Sequence, residues 1–301
     1  MGRFEFTEKH LGTPVRLILV NLDEARASGL ARAAYEECAR IESLYSRFLA
    51  GNALADLNAR VGEWTEVNPE FYGFLEFGED VKRRSEGAFD LSVKSILEGW
   101  GYDAGYSFLE GAAGQVGALE LLDGRVRLSA PIELGGLGKG YAIDQVGKIL
   151  RGGCGDFLID AGGDLLLAGR DADGAAWRVA FEHPTDVSQA IGLFEGGDVA
   201  LACSSPSRRS WAVGGATDAP GRRHHLVDPR SGEPAMGMLA VYTQAESAMV
   251  ADAYSTALFV LGFERARELL AAGELPVEAL LVGPDMKVFR TGGFKGELFA
   301  A

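Results

Sequence analysis

Two residues late in the chain, Asp252 and Thr256, stand four apart in the stretch Ala251-Asp252-Ala253-Tyr254-Ser255-Thr256-Ala257. Apolar spacing around them predicts a long helix over 249–272. Positions i and i+4 share one helical face, so a carboxylate and a hydroxyl converge there. Mg2+ accepts such hard oxygen donors when phosphates supply its remaining ligands. The same pair also fits an Asp that caps the helix and a Thr that bonds back to the preceding turn. A second candidate is Glu133-Leu134-Gly135-Gly136-Leu137-Gly138-Lys139-Gly140, which opens a helix predicted over 139–150. Backbone without side chains at a helix start lets N–H groups approach an anion, and Lys139 adds a positive charge. The plainer alternative is a glycine-rich turn that begins the helix. A third is His224-His225-Leu226-Val227-Asp228-Pro229-Arg230-Ser231-Gly232, a strand entering a turn shaped by Pro229 and Gly232; His225 could move a proton or serve only the turn.

The familiar nucleotide motifs do not fit. A Walker A loop needs Gly five residues before Gly138 and Ser or Thr after Lys139, but Glu133 and Gly140 stand there. A dinucleotide GxGxxG beginning at Gly136 or Gly138 needs Gly where Tyr141 or Ile143 stands. Asp171-Ala172-Asp173-Gly174 lacks the later ligands of a calcium loop and reads as a hairpin turn. No HExxH is present, His10 and His183 have no companions, and Gly215-Ala216-Thr217 reads as loop.

The elements that must position these residues are mixed in type. A buried strand is predicted over 14–20, and Asp23 caps a helix bearing Leu30, Ala34, Cys38, Ile41 and Leu44. Helices follow over about 70–84 and 93–99, and Asp123-Gly124 marks a hairpin between strands 119–122 and 126–129. Short apolar runs at 157–159, 165–168, 177–181, 199–203 and 225–227 make the next part strand-rich. The late helix comes next, and then a closing hairpin around Gly283-Pro284-Asp285. Strands and helices do not alternate strictly, so the class is α+β.

Composition narrows the partners. The 301 residues contain 29 Lys+Arg against 43 Asp+Glu, a net charge of −14, with 47% hydrophobic residues. That is the make-up of a folded domain. It disfavours nucleic-acid binding, which needs a basic surface. Cys38, Cys154 and Cys203 are far apart and odd in number, so neither a disulfide framework nor a thiolate zinc site is expected. No signal peptide or membrane span is visible, which makes the cytoplasm the expected location.

The candidate segments also form an ordered set: Phe89-Asp90-Leu91-Ser92, the 133–140 loop, Asp160-Ala161-Gly162-Gly163-Asp164, His225-Leu226-Val227-Asp228-Pro229 and the 251–257 helix. Together they resemble the ApbE family, the FAD:protein FMN transferases, over about 6–291. Leu11-Gly12-Thr13 stands where that family usually has Met-Gly-Thr, and 46–58 resembles its segment ending in Asn. Phe89 to Ser92 resembles Phe-Asp-Pro-Thr, and 133–144 is similar to Asp-Leu-Gly-Gly-x-Ala-Lys-Gly-Tyr-x-x-Asp.

The resemblance implies a single 1–301 domain of the family's T-shaped α+β fold, with mixed and antiparallel sheets and packed helices. It implies FAD as substrate and Mg2+ on its pyrophosphate. A Thr or Ser hydroxyl of an acceptor protein would attack the FMN phosphorus and AMP would leave. Carried over by position, Asp252, Thr256 and the Gly138 carbonyl would bind the ion. Phe48, Asp90, Ser92, Gly136, Lys139, Asp144, Gly162, Gly163, Asp164 and Ser204 would line the flavin or phosphate site. His225 would transfer the proton or contact the phosphate, and Asp252 could itself serve as base. Phe48 replaces a frequent Tyr, Gly138 an Ala, Glu133 an Asp, and Cys203-Ser204-Ser205-Pro206 the usual Thr-Ser-Gly. Two other readings stay open: a metal-dependent FAD pyrophosphatase, and a catalytically silent FAD-binding module.

Overall fold

The computed structural model describes residues 2–109, 111–207, 210–211 and 223–299; Gly215-Ala216-Thr217 lies outside them. The chain opens with the hairpin β1 (Gly2–His10) and β2 (Thr13–Leu22). Next come α1 (Glu24–Tyr45), α2 (Ala53–Asn58), the short β3 (Thr65–Glu66) and α3 (Pro69–Arg84). Asp23 does cap α1, accepting from the Arg26 N–H at 2.9 Å. Helix α2, absent from the sequence expectations, starts at Asn52, whose side chain accepts from the Ala55 N–H. A 3-10 turn leads into α4 (Lys94–Gly99), followed by the hairpin β4 (Leu119–Leu122) and β5 (Arg125–Leu128) and by α5 (Gly138–Arg151).

Strands then dominate: β6 (Phe157–Ala161), β7 (Asp164–Ala168), β8 (Trp177–Glu182), β9 (Ala190–Gly196) and β10 (Val199–Ser204). Two small ladders follow, β11 (Ser210–Trp211) with β12 (Arg223–His224) and β13 (Val227–Asp228) with β14 (Glu233–Pro234). The expected strand over 225–227 is thus interrupted: His225 sits in a bend between β12 and β13. The chain ends with β15 (Ala240–Ala245), α6 (Ala248–Leu261), α7 (Phe263–Ala272), β16 (Glu278–Val282), β17 (Val288–Arg290) and β18 (Glu297–Leu298).

The long late helix expected from periodicity is therefore two helices. Gly262 takes φ 76°, a left-handed conformation open to glycine. The Phe263 N–H bonds to the Gly237 carbonyl oxygen instead of to the preceding turn, so the axis changes direction there.

Eight strands form one sheet in the order β1-β2-β6-β7-β10-β15-β16-β17. Of the mixed and antiparallel sheets expected, only antiparallel pairings occur among the described residues. Strand β2 explains why its sequence is almost continuously apolar: alternate residues face opposite sides, and both sides are covered. Val15, Leu17 and Leu19 pack with Ala27, Ala31 and Ala34 of α1 and Val146 and Leu150 of α5. Ile18 and Val20 share a second core with Trp177, Phe181 and Phe194, from the small sheet β18-β9-β8. A third core joins α3, α6 and α7 beside the edge of this framework. The α+β class holds.

Candidate functional site

The glycine-rich loop reaches α5 at Gly138, and the next turn shows why Gly140 has no side chain. A Cβ there would come 2.4 Å from the Ala248 carbonyl oxygen and 2.6 Å from the Met249 Cα. Glycine lets α5 press against the start of α6. The crossing is locked by Asp144, whose carboxylate accepts from Ser247 Oγ at 2.6 Å and from the N–H groups of Ala248 and Met249 at 2.8 and 3.0 Å. A negative charge on exposed N–H groups at a helix start is stabilising. Asp144 is not on the cavity wall described below; it caps the neighbouring helix.

The lock brings the two main sequence candidates together. Lys139 Nζ lies 2.6 Å from Asp164 Oδ2 and 3.0 Å from Asp252 Oδ2, and the Gly140 N–H donates to Asp252 Oδ2 at 3.2 Å. Burial disfavours the Lys139 ammonium, but the two carboxylates outweigh that and raise its pKa above the ordinary lysine value. Lys139 therefore stays charged at any ordinary pH. Asp252 lies in the second turn of α6, and Ser247 caps that helix, so Asp252 is not a cap. Both Asp252 contacts fall on Oδ2, which leaves Oδ1 without a donor among the described residues.

One turn further on, Thr256 Oγ1 is 3.4 Å from Ser204 Oγ at the end of β10, and Ser204 Oγ is 2.7 Å from Ser255 Oγ. Asp252 and Thr256 thus offer a carboxylate and a hydroxyl on one face, as their spacing implied. Among the described residues no group of three or more His, Cys, Asp or Glu side chains is placed to hold a metal. The donor set is hard oxygen and fits Mg2+ only with phosphate oxygens or water completing the sphere.

These groups border a cavity of about 780 Å³, a size suited to a nucleotide-sized ligand. Its wall includes Phe48, Asp90, Gly136, Lys139, Gly162, Gly163, Asp164, Ser204, His225, Asp252 and Thr256. The β6–β7 turn supplies Gly162 and Gly163 with φ 70° and 100°, and a Cβ on Gly162 would meet Thr13 Oγ1 at 2.5 Å. The family's frequent Gly-Thr pairing near the N-terminus, matched here by Gly12-Thr13, thereby touches the second glycine turn.

Ser92 and Gly138 are not on the wall. Ser92 donates to Asp90 Oδ1 at 2.6 Å and receives the Gly117 N–H at 2.9 Å. Asp90 is further held by Lys82 at 2.7 Å, so this pair orders the 3-10 turn under the cavity. The adjacent histidines diverge. His224 is buried edge-on to Phe259, and burial pushes its pKa down; His225 faces the cavity. Arg47 and Tyr102 also border the cavity without having been picked out from the sequence, as does Cys203, noted there only as a departure from the family's pattern. Arg47 sits next to Phe48, but no spacing rule marks it.

A family model described as the ApbE family matches residues 11–281. The chain is 31% identical over 271 residues to an FAD:protein FMN transferase of Rhodobacter capsulatus, covering 83% of this chain and 50% of that protein; it thus spans about half the length of that relative. It is 26% identical over 310 residues to an FAD:protein FMN transferase of Klebsiella pneumoniae (strain 342), covering 95% of this chain and 87% of that protein. Among solved structures, the ApbE protein of Thermotoga maritima superposes with a TM-score of 0.86 at 27% identity, covering 96% of this chain and 97% of that one. The flavin transferase ApbE of Vibrio cholerae, at 21% identity and a TM-score of 0.82 over 97% and 98% of the two chains, has the same fold.

Proposed function

The chain belongs to the ApbE family, and from that premise we propose that it is a Mg2+-dependent FAD:protein FMN transferase. FMN passes from FAD to a Thr or Ser hydroxyl of an acceptor protein, and AMP is released. The observation that carries this reading is the convergence of Lys139, Asp252, Thr256 and Ser204 with two glycine turns on one cavity that His225 also borders. Phosphoryl transfer is catalysed chiefly by positioning and charge neutralisation, and this site offers both without a protein nucleophile.

In the proposed reaction the acceptor oxygen bonds to the FMN phosphorus as the bond from that phosphorus to the AMP oxygen breaks. The hydroxyl proton passes to the His225 imidazole, a base suited to neutral pH. Lys139, held between Asp164 and Asp252, fixes those two carboxylates in the site, and the side-chain-free turns let backbone N–H groups approach the diphosphate. Asp252 and Thr256 would hold Mg2+, which when bound neutralises charge on the diphosphate, while Gly138 stands off the cavity wall at the start of α5. Phe48, Asp90, Gly136, Gly162, Gly163 and Asp164 line the flavin or phosphate site in this reading, while Ser92 and Asp144 act through the elements they brace.

The test is incubation of the purified protein with FAD, MgCl2 and an acceptor domain carrying a flavinylation-type Thr. Expected are flavin fluorescence that survives a denaturing gel, one AMP per adduct, and loss of both with EDTA or Asp252→Ala. AMP and free FMN without an adduct would identify a pyrophosphatase instead. Tight FAD binding with no AMP from any acceptor would identify a binding module.

A further inference from the structure

Arg47 lies just beyond α1, borders the cavity, and has a side chain only 6% exposed. A guanidinium has five N–H donors. Among the described residues Arg47 makes one hydrogen bond, from Nη2 to the Tyr102 carbonyl oxygen at 2.9 Å, and one long ion pair, from Nε to Glu133 Oε2 at 3.8 Å. Its other donors make no hydrogen bond among the described residues, and the residue lines the cavity. Donors held in a mostly buried charge cost free energy until an acceptor reaches them.

Aromatic rings fix this guanidinium. Its Cζ lies 4.5 Å from the Phe48 centroid and 4.6 Å from the Tyr102 centroid. Phe48 in turn stacks on Tyr106, with centroids 5.3 Å apart at 22°, and Tyr102 stacks on Trp211 at 5.1 Å and 17°. Flat apolar surfaces with a rigid donor fork on the rim recognise a planar heteroaromatic ring through its acceptor edge.

The glycine-rich loop joins Arg47 to the Asp252–Thr256 face. Glu133 Oε2, beside Arg47, accepts from the Gly135 N–H at 2.9 Å. A Cβ on Gly136 would come 3.8 Å from Thr256 Cγ2. Arg47 and Thr256 therefore lie at the two ends of residues 133–136, which run into the turn closed by the Leu134 carbonyl oxygen and the Leu137 and Gly138 N–H groups.

We infer that Arg47 is a specificity-determining residue that donates to the carbonyl edge of the isoalloxazine ring, with Phe48 and Tyr102 holding the guanidinium plane. The inference rests on the reading of the cavity as an FAD site. Calorimetric titration of FAD, FMN and ADP into the wild-type protein, Arg47→Met and Arg47→Lys tests it, alongside thermal melts without ligand. Loss of charge-assisted hydrogen bonding predicts that Arg47→Met weakens FAD and FMN alike by about tenfold to a hundredfold, leaves ADP within twofold, and shifts the visible band of bound flavin. Arg47→Lys, which keeps the charge but not the fork, falls between. Unchanged FAD and FMN affinity in Arg47→Met would overturn the inference, as would a loss confined to ADP, which would place adenine against Arg47. An equal loss of all three ligands with a lowered melting temperature would reduce Arg47 to a packing residue and also overturn it. Failure of the wild-type protein to take up FAD would instead remove the flavin site itself.

Discussion

Replacing Asp144 by Ala separates two roles that the same residue could have. As a wall residue, Asp144 would bind ligand and contribute little to folding. In the structure it accepts three hydrogen bonds at the start of α6, from Ser247 Oγ and the N–H groups of Ala248 and Met249. Losing a helix N-cap costs about 0.5–2 kcal/mol, and removing a charge from the positive end of a partly buried helix costs up to about 2 kcal/mol more. Asp144→Ala should therefore destabilise the protein by about 1–4 kcal/mol, which for a chain of this size lowers the melting temperature by roughly 2–6 °C. Because the capped turn carries Asp252 five residues after Ser247, FAD affinity should fall as well. Ser247→Ala removes one of the same bonds, so the double variant should be destabilised by less than the sum of the two singles, with a coupling of about 0.5–3 kcal/mol. Differential scanning calorimetry with and without FAD measures all of this. An Asp144→Ala protein that melts with the wild type but has lost FAD affinity would refute the capping argument and restore the residue to the cavity wall.

Two further outcomes follow from neighbouring contacts. Glu70 accepts from Arg40, Tyr45 and Tyr141, and chiefly the Arg40 hydrogen bond, against burial and with help from both tyrosines, holds its pKa down from 4.5 to about 2. A depressed carboxylate stabilises fully above pH 4.5 and loses that contribution as pH falls toward 2. The stability gap between wild type and Glu70→Gln, followed by melting temperature, should thus be widest above pH 4.5, on the order of 1 kcal/mol once solvent screening of this pair is allowed for, and close toward pH 2; a gap independent of pH would contradict it. In Gly140→Ala the new Cβ would overlap the Ala248 carbonyl oxygen and force α5 and α6 apart. About 1–3 kcal/mol of overpacking should exceed the roughly 1 kcal/mol gained in helix propensity. Melting temperature and FAD affinity should fall together, and an unchanged protein would show that the crossing is looser than described.

Local signals in the chain made much of this legible. Asp23 before an apolar repeat, Asp123-Gly124 between strand-like runs and the i, i+4 spacing of Asp252 and Thr256 each depend on backbone geometry over a few residues, and each appears where expected. The break at Gly262 was harder to see. Apolar periodicity continues through it, and only the distant Gly237 carbonyl, which takes the Phe263 N–H, settles the turn. Helix α2, six residues begun by Asn52, was missed in what reads as a polar loop after α1.

Residue types and order were enough to nominate a glycine loop, a lysine, a carboxylate–hydroxyl pair and a histidine segment, because such motifs are written in short contiguous segments. Their partners were not. That Lys139 would sit between Asp164 and Asp252, that Asp144 would cap a helix instead of lining the cavity, and that Arg47 would be buried against Phe48 and Tyr102 depends on contacts between residues far apart in the chain. Such contacts exist only once α5 and α6 cross at Gly140 and the sheet brings its strand ends together, because burial and charge pairing are properties of the packed neighbourhood and not of the residue alone.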